Sequence, residues 1–391
     1  MSYKVLRIVP RDAEQLDKIR TFYDDFSNTI QFWKEPSGVD RPLDIMISPE
    51  LLEDVKVEIA KQGLTFTTNI EDVQTLIEKE RCKDCVKTSA GFDYNVYHTI
   101  EEINQWVTDF TAQQSLATEV IVGQSYGGLD IMAVKISSGG NKKRIIHLQG
   151  GSQPHHWITP AMLMYMANML ATMYTTDTTI QAMVDNYDWH IVPVVNPDGY
   201  EMTWTTDRLW GKNWQPHSTQ VCWGTQLKYN YAYQWGGYGG SPLPCDQRFF
   251  GEGPLSSVEL NDLHRWVNKM SNIAAFIDFQ SYGQVLYYPW AYLFNEDDAP
   301  QPDKGVQDDL GRRALNALQV PYGTVYGLGH SILEAGVSED YAYGTLGVKY
   351  PYRIEVRDQG EYGYLLPESL IDDTAIETFE ALKVIGTDPL A

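Results

Sequence analysis

Apolar positions divide this chain into two stretches of different rhythm. In the first, residues 3–9 pattern as a strand, 12–26 carry the spacing of a helix, and 43–47 form a second short apolar strand. A helical pattern over 49–62 and a strand over 65–69 follow, and then an acidic tail over 70–74. This β-α-β-β-α-β-like order predicts a small open α/β sandwich of ferredoxin type. The pattern breaks over 79–89, a polar, charged run expected to be a solvated linker. Farther along, Ile145 and Ile146 mark a buried strand, Gly150 and Gly151 a tight exit from it, and 160–172 an apolar-rich helix. Residues 148–159 therefore belong at the carboxyl end of a strand, where open α/β sheets build their sites.

At 391 residues the chain has length for two domains and a large core. An apolar content of 43% and a charged content of 21% are those of a globular protein. A formal net charge of -22 argues against nucleic acid and anionic membrane partners, and no apolar run approaches membrane-spanning length. Residues 1–6 lack signal-peptide character, so the chain is expected to be cytosolic or numbered after a removed signal.

Cys82 and Cys85 form a C-x-x-C pair with no second pair to complete a zinc site and no thioredoxin-like surroundings. A local bridge or plain thiols are expected. Arg81, Lys83 and Lys87 in the same run are accessible in principle to a trypsin-like protease, so activation cleavage and a plain linker both remain open. His147, His155 and His156 are expected to be satisfied or solvated, since neighbouring histidines on strand or loop point in different directions. The 25 Tyr and 11 Trp include the run 229–235, expected to line core and cleft.

From residue 94 onward a series of motifs follows in order: Tyr97-His98-Thr99, Asn196-Pro197-Asp198-Gly199-Tyr200, Arg208-Leu209-Trp210, Ser281-Tyr282 and Glu355-Val356-Arg357-Asp358. With Gly151 and Trp157-Ile158, these resemble the zinc metallocarboxypeptidases of the pancreatic A/B type, and residues 1–80 resemble that family's propeptide. The resemblance implies a mixed eight-stranded sheet flanked by helices over 93–391, a propeptide-like domain over 1–80 and an activation segment over 81–92. It also implies a Cys222–Cys245 disulfide suited to a secreted protein, and a monomer. Propeptides of this kind cover the cleft of the enzyme they precede.

The chemistry is where the resemblance fails. The family binds zinc through a His-x-x-Glu pair and a later histidine, and the matching positions here are Gln153, His156 and Gln280. Zinc lowers the pKa of its water from about 15.7 to about 7, on the order of 12 kcal/mol of help in making hydroxide. Two neutral amides suit that ion poorly. The aspartates that orient the ligating histidines correspond to Gln149 and Gln226. The Asn-Arg clamp for the substrate carboxylate corresponds to Lys228-Tyr229, and the oxyanion arginine to Gly211. The closing tyrosine has no evident counterpart in the short loop 329–334.

Glu355 alone matches a catalytic residue, the general base, and is expected to be a structural carboxylate paired with a cation such as Lys228. Glu339 falls where basic-specific members place an acid, and Tyr282 at a cleft position. No cofactor is expected, zinc included. The expectation is a catalytically inactive member whose cleft binds an unknown peptide, small molecule or protein, or is vestigial. Two alternatives are a hydrolase with an atypical metal site, and a structural or storage protein.

Overall fold

The computed structural model describes residues 2–26, 29–80, 91–140, 143–218, 221–293, 299–330 and 333–390. Cys82, Cys85, Arg81, Lys83 and Lys87 lie outside the described residues.

The first unit is a four-stranded sheet with helices on one face. Its strands are β1 (Lys4–Ile8), β2 (Gln31–Lys34), β3 (Leu43–Ile47) and β4 (Phe66–Ile70), in the order β2-β3-β1-β4 with every pairing antiparallel. Side chains alternate as strand geometry requires. Leu6 and Ile8 of β1 enter a core with Ile19 and Phe22 of α1 (Ala13–Phe26) and Val55 and Ile59 of α2 (Leu52–Lys61), whereas Val5 turns to the opposite face. Val5 meets Leu209, Tyr282 and Leu365 there, so the second face of this sheet is buried against the rest of the chain.

The acidic segment after β4 departs from expectation. Residues Val73–Glu80 form a helix, α3, whose Asp72 side chain accepts from the Thr75 amide at 2.9 Å. Val73, Leu76 and Ile77 supply the i, i+3, i+4 apolar stripe that packs into the shared cluster. Two of the three fall in the stretch treated as tail and linker, and so the helix was not expected. Glu80 at its end is buried, not solvated.

The second unit is built on an eight-stranded mixed sheet ordered β11-β10-β12-β9-β7-β8-β6-β5. Its strands are β5 (Ala117–Gln124), β6 (Asp130–Ile136), β7 (Arg144–Gln149), β8 (Tyr187–Val192), β9 (Ile273–Ser281), β10 (Val285–Tyr287), β11 (Gly327–Gly329) and β12 (Tyr350–Val356). Strands β12, β9, β7 and β8 run parallel at the centre. One face packs on α4 (Ile100–Gln113), α5 (Ile158–Thr172), α6 (Thr178–Asn186), α9 (Lys304–Leu318) and α11 (Ile371–Thr387), and the other on α8 (Val258–Val267) and α10 (Ser338–Gly344). The remaining helix, α7, spans Pro197–Thr205. Sequence rules account for the outer helices. Thr99 and Glu102 form a capping box at the start of α4, and its Ile103, Trp106, Val107 and Phe110 face the sheet.

The Cys222–Cys245 bridge is formed, with Cα atoms 5.2 Å apart. Among the described residues no helix is long and apolar enough to cross a membrane.

Candidate functional site

The carboxyl ends of β7 and β9 are neighbours in the sheet, which is what brings residues 153, 156 and 280 together. Gly151 makes the exit from β7 possible. It has φ +62, and a side chain there would meet Val194 Cα at 3.0 Å. The chain then turns back to start α5 at Ile158. Gln280 sits one residue from the end of β9, in register with Glu355 of β12.

The three side chains meet without leaving a metal-shaped gap. Gln153 Nε2 donates to Gln280 Oε1 at 2.9 Å, and Gln280 Nε2 donates to Asp278 Oδ2 at 3.1 Å. Gln226 Nε2 reaches Gln153 Oε1 at 3.4 Å, and Ser338 Oγ donates to Asp278 at 2.7 Å. A continuous run of amide and hydroxyl hydrogen bonds thus crosses the buried floor of the cleft. Burial raises Asp278, against the hydrogen bonds from Ser338 and Gln280.

His156 Nδ1 accepts from the Ser281 amide at 3.1 Å, and His155 Nδ1 lies 3.1 Å from the Trp210 carbonyl, to which it donates. Their rings stand 4.6 Å apart, and neither Nε2 has a hydrogen-bond partner. Burial lowers His155 to about 3 and pushes His156 well down, so both stay neutral. His147 is buried against Phe276 and bonds Gln149 at 3.0 Å. The solvated alternative for these histidines is therefore overturned: all three are interior side chains. Gln149 in turn donates to Tyr231 at 2.7 Å.

The expected pairing of Glu355 with Lys228 does not occur. Glu355 instead faces Lys34 at 3.2 Å and Arg353 at 3.5 Å. Lys228 is taken by Glu334, with Glu35 at 3.5 Å. The reason is topological: β2 of the first unit crosses the cleft and inserts its own lysine and glutamate between the two expected partners. Burial works to lower the Lys228 ammonium, but Glu334 and Glu35 hold it above its ordinary range. The Tyr229 hydroxyl donates to Glu35 at 2.8 Å.

Glu339 is fully buried and accepts from Arg353 Nε at 2.9 Å, so it does not face the cleft as a specificity acid would. The Tyr282 hydroxyl donates to Asp44 of β3 at 2.6 Å. Gly211 leaves room that His155 fills, its Cε1 lying 3.4 Å from where a Cβ would stand.

Asp278, Lys34, Glu35, Glu334 and Arg353 were not singled out as site residues from sequence. None carries a local motif, and each acquires its place through contacts between distant segments. The space left among Trp33, Lys34, Gln153, Lys228, Gln280 and Glu355 is about 50 Å³. It admits a few waters but not a peptide's terminal residue.

A family model described as Zinc carboxypeptidase matches residues 103–381, and one described as Carboxypeptidase activation peptide matches residues 6–80. The chain belongs to the zinc carboxypeptidase family. Carboxypeptidase A2 of Mus musculus is 33% identical over 391 residues, covering 98% of this chain and 92% of that protein. Carboxypeptidase A1 of Sus scrofa is 34% identical over 395 residues, covering 98% and 93%. The crystal structure of thrombin activatable fibrinolysis inhibitor superposes with a TM-score of 0.87 at 26% identity, covering 99% of this chain and 98% of that one.

The zinc that the family's description implies does not fit the residues of this carboxypeptidase-like chain. Two of its three inherited ligand positions are amides that satisfy one another, one of them presenting an N–H where a metal needs a lone pair. Among the described residues no three His, Cys, Asp or Glu side chains converge to replace them. The family's zinc site is lost.

Proposed function

We propose that this chain is a catalytically inactive zinc carboxypeptidase homologue whose cleft serves as a binding surface. The observation that carries this reading is the Gln153–Gln280 hydrogen bond, which occupies the place of the family's metal with a neutral, self-satisfied pair. Three further features support it. Gly211 has no side chain to stabilise an oxyanion, Lys228 and Tyr229 are engaged by Glu35 and Glu334, and Glu355 has no activated water to deprotonate.

The proposal divides the chain into a propeptide-like domain (1–80), a connecting segment (81–92) and a carboxypeptidase-like domain (93–391). The antiparallel order β2-β3-β1-β4 supports a ferredoxin-like arrangement for the first. The Cys222–Cys245 bridge supports an extracellular setting, and a monomer is the proposed state.

The test combines elemental analysis with an assay on N-acylated dipeptides ending in aromatic, aliphatic or basic residues. Expected are less than about 0.1 zinc per chain and turnover indistinguishable from buffer, because no ligand set holds the ion. One zinc per chain, with hydrolysis abolished by Glu355→Gln, would overturn the proposal.

A further inference from the structure

Six alternating charges form a ring at the mouth of the former substrate site. Lys34 faces Glu355 at 3.2 Å, Glu355 faces Arg353 at 3.5 Å, and Arg353 faces Glu334 at 2.5 Å. Glu334 pairs with Lys228, and Lys228 faces Glu35 at 3.5 Å. Lys34 and Glu35 are adjacent in sequence, so this dipeptide of the first unit closes the ring. The side chains range from 0% exposed at Arg353 to 26% at Glu35, which places the ring beyond easy screening by salt. Positions 228, 229 and 355, which in the family's pattern face substrate and water, here hold the N-terminal unit.

The rest of the interface is built like a protein interior. Arg208 bonds both oxygens of Glu80, donates to the carbonyls of His155 at 2.9 Å and Tyr364 at 3.0 Å, and stacks over Trp157 at 3.7 Å. Arg7 and Asp44 pair across β1 and β3, and Tyr282 of the second unit completes that pair. Around them Val5, Trp33, Ile70 and Val73 share one apolar cluster with Leu209, Tyr282 and Leu365. Withdrawing the first unit would uncover this cluster and strand the charges of Glu80 and Arg208. Interfaces between units that separate readily are smaller and more polar.

We propose that the N-terminal unit is a permanent occupant of the cleft, with Lys34-Glu35 as its anchor, and that it stays bound after the connection between the units is cut. The inference rests on the cleft being a binding rather than a catalytic surface, and it names what the cleft binds.

The experiment inserts a specific protease site between Lys87 and Thr88 of the full chain. Both Cys82 and Cys85 then remain on the N-terminal fragment, so no bridge between them can hold the pieces together. After complete cleavage, verified on a reducing denaturing gel, the sample is run on gel filtration at micromolar concentration in about 0.15 M and about 1 M sodium chloride. Both fragments are expected in one peak at either salt. Separation at the lower salt overturns the proposal, and separation at only the higher salt overturns the buried ring as the anchor.

A second nicked chain carries Lys34→Glu with Glu35→Lys, which sets like charges against Glu355 and Lys228. Its fragments are expected to bind at least about 100-fold more weakly, while the conservative Lys34→Arg with Glu35→Asp keeps the single peak. Unchanged affinity on charge reversal overturns the anchor. If the reversed chain does not fold, Lys34→Met with Glu35→Gln is judged by the same criterion. Zinc content and hydrolysis are measured on the same nicked samples. Hydrolysis there would overturn the inactive reading whatever the fragments do, whereas separation without zinc or hydrolysis would overturn only the retention.

Discussion

Replacing Gln153 and Gln280 together by histidine should give this chain a zinc dependence that the wild type lacks. The two side chains already touch, at 2.9 Å, and His156 lies beside Ser281 with its Nε2 unpartnered, so three imidazoles would converge on one point. Without metal the double variant loses the Gln153–Gln280 and Gln280–Asp278 hydrogen bonds, at about 1 kcal/mol each, and should be roughly 2 kcal/mol less stable. With free zinc at about 1,000 times its dissociation constant, mass action returns about 4 kcal/mol. The net change from apo wild type to zinc-loaded variant is therefore a gain of about 2 kcal/mol. Urea denaturation at fixed temperature, with chelator and with buffered zinc, measures both terms. The wild-type midpoint should not move with zinc, and the variant midpoint should fall and then recover past it. A folded double variant indifferent to zinc would refute the convergence of the three positions. A wild-type midpoint raised by zinc, and no longer raised after His156→Ala, would refute the loss of the site. Hydrolysis should stay absent in the zinc-loaded variant, since Gly211, Lys228 and Tyr229 are unchanged.

Other outcomes follow from the same geometry. Glu80→Gln leaves the buried Arg208 guanidinium without its counter-charge and should cost about 3 kcal/mol, against well under 1 for an exposed pair; a loss below that lower figure in urea denaturation would show the pair to be solvated. His147 and His155 are lowered to about 3 by burial and His190 to about 4, so below about pH 6.5 the unfolded chain binds protons that the folded chain refuses. Stability should accordingly fall between pH 6.5 and 5, by up to about 1.4 kcal/mol per unit for each histidine, with Asp278, raised by burial, acting in the opposite sense; a flat urea midpoint over that range would contradict it. Cys222→Ser opens a loop of 23 residues and should cost about 3 kcal/mol, read as a lower midpoint that reduction of the wild type reproduces.

Much of this molecule is legible in its sequence, and the part that is not has a physical boundary. Strand β7, the Gly150-Gly151 exit and helix α5 follow from local rules, because periodicity and glycine act over a few residues. The substitutions at 153, 156, 280, 211, 228 and 229 stand out because a resemblance fixes their register. Their consequence does not. That Gln153 bonds Gln280 rather than water depends on β7 and β9 lying side by side, a pairing between segments 127 residues apart. The partner of Glu355 is farther still: Lys34 is 321 residues away, and Glu80 is 128 from Arg208. Nothing in the rhythm around residue 34 or 80 distinguishes a buried anchor from a solvated charge, which is why 79–89 was taken for linker and Lys228 for the partner of Glu355.

These errors share a direction, and it bears on what the cleft is for. Each misassigned charge was expected to face solvent or another cleft residue, and each is held instead by the opposite unit. Lys34 and Glu35 divide Glu355 from Lys228, the pair that would have neutralised each other had the cleft stood empty. Once the metal is gone, a cleft lined by Glu355, Glu334, Glu339, Lys228 and Arg353 carries buried charges with no catalytic work to do, and such charges are costly unless paired. Arg353 with Glu339 and Glu334 resolves part of that cost inside the second unit. The remainder, Glu355 and the open side of Lys228, is resolved only across the interface. The same substitutions that remove hydrolysis therefore leave a surface whose electrostatics are complete when β2 lies across it, and loss of the metal and retention of the N-terminal unit become two consequences of one change in side-chain chemistry.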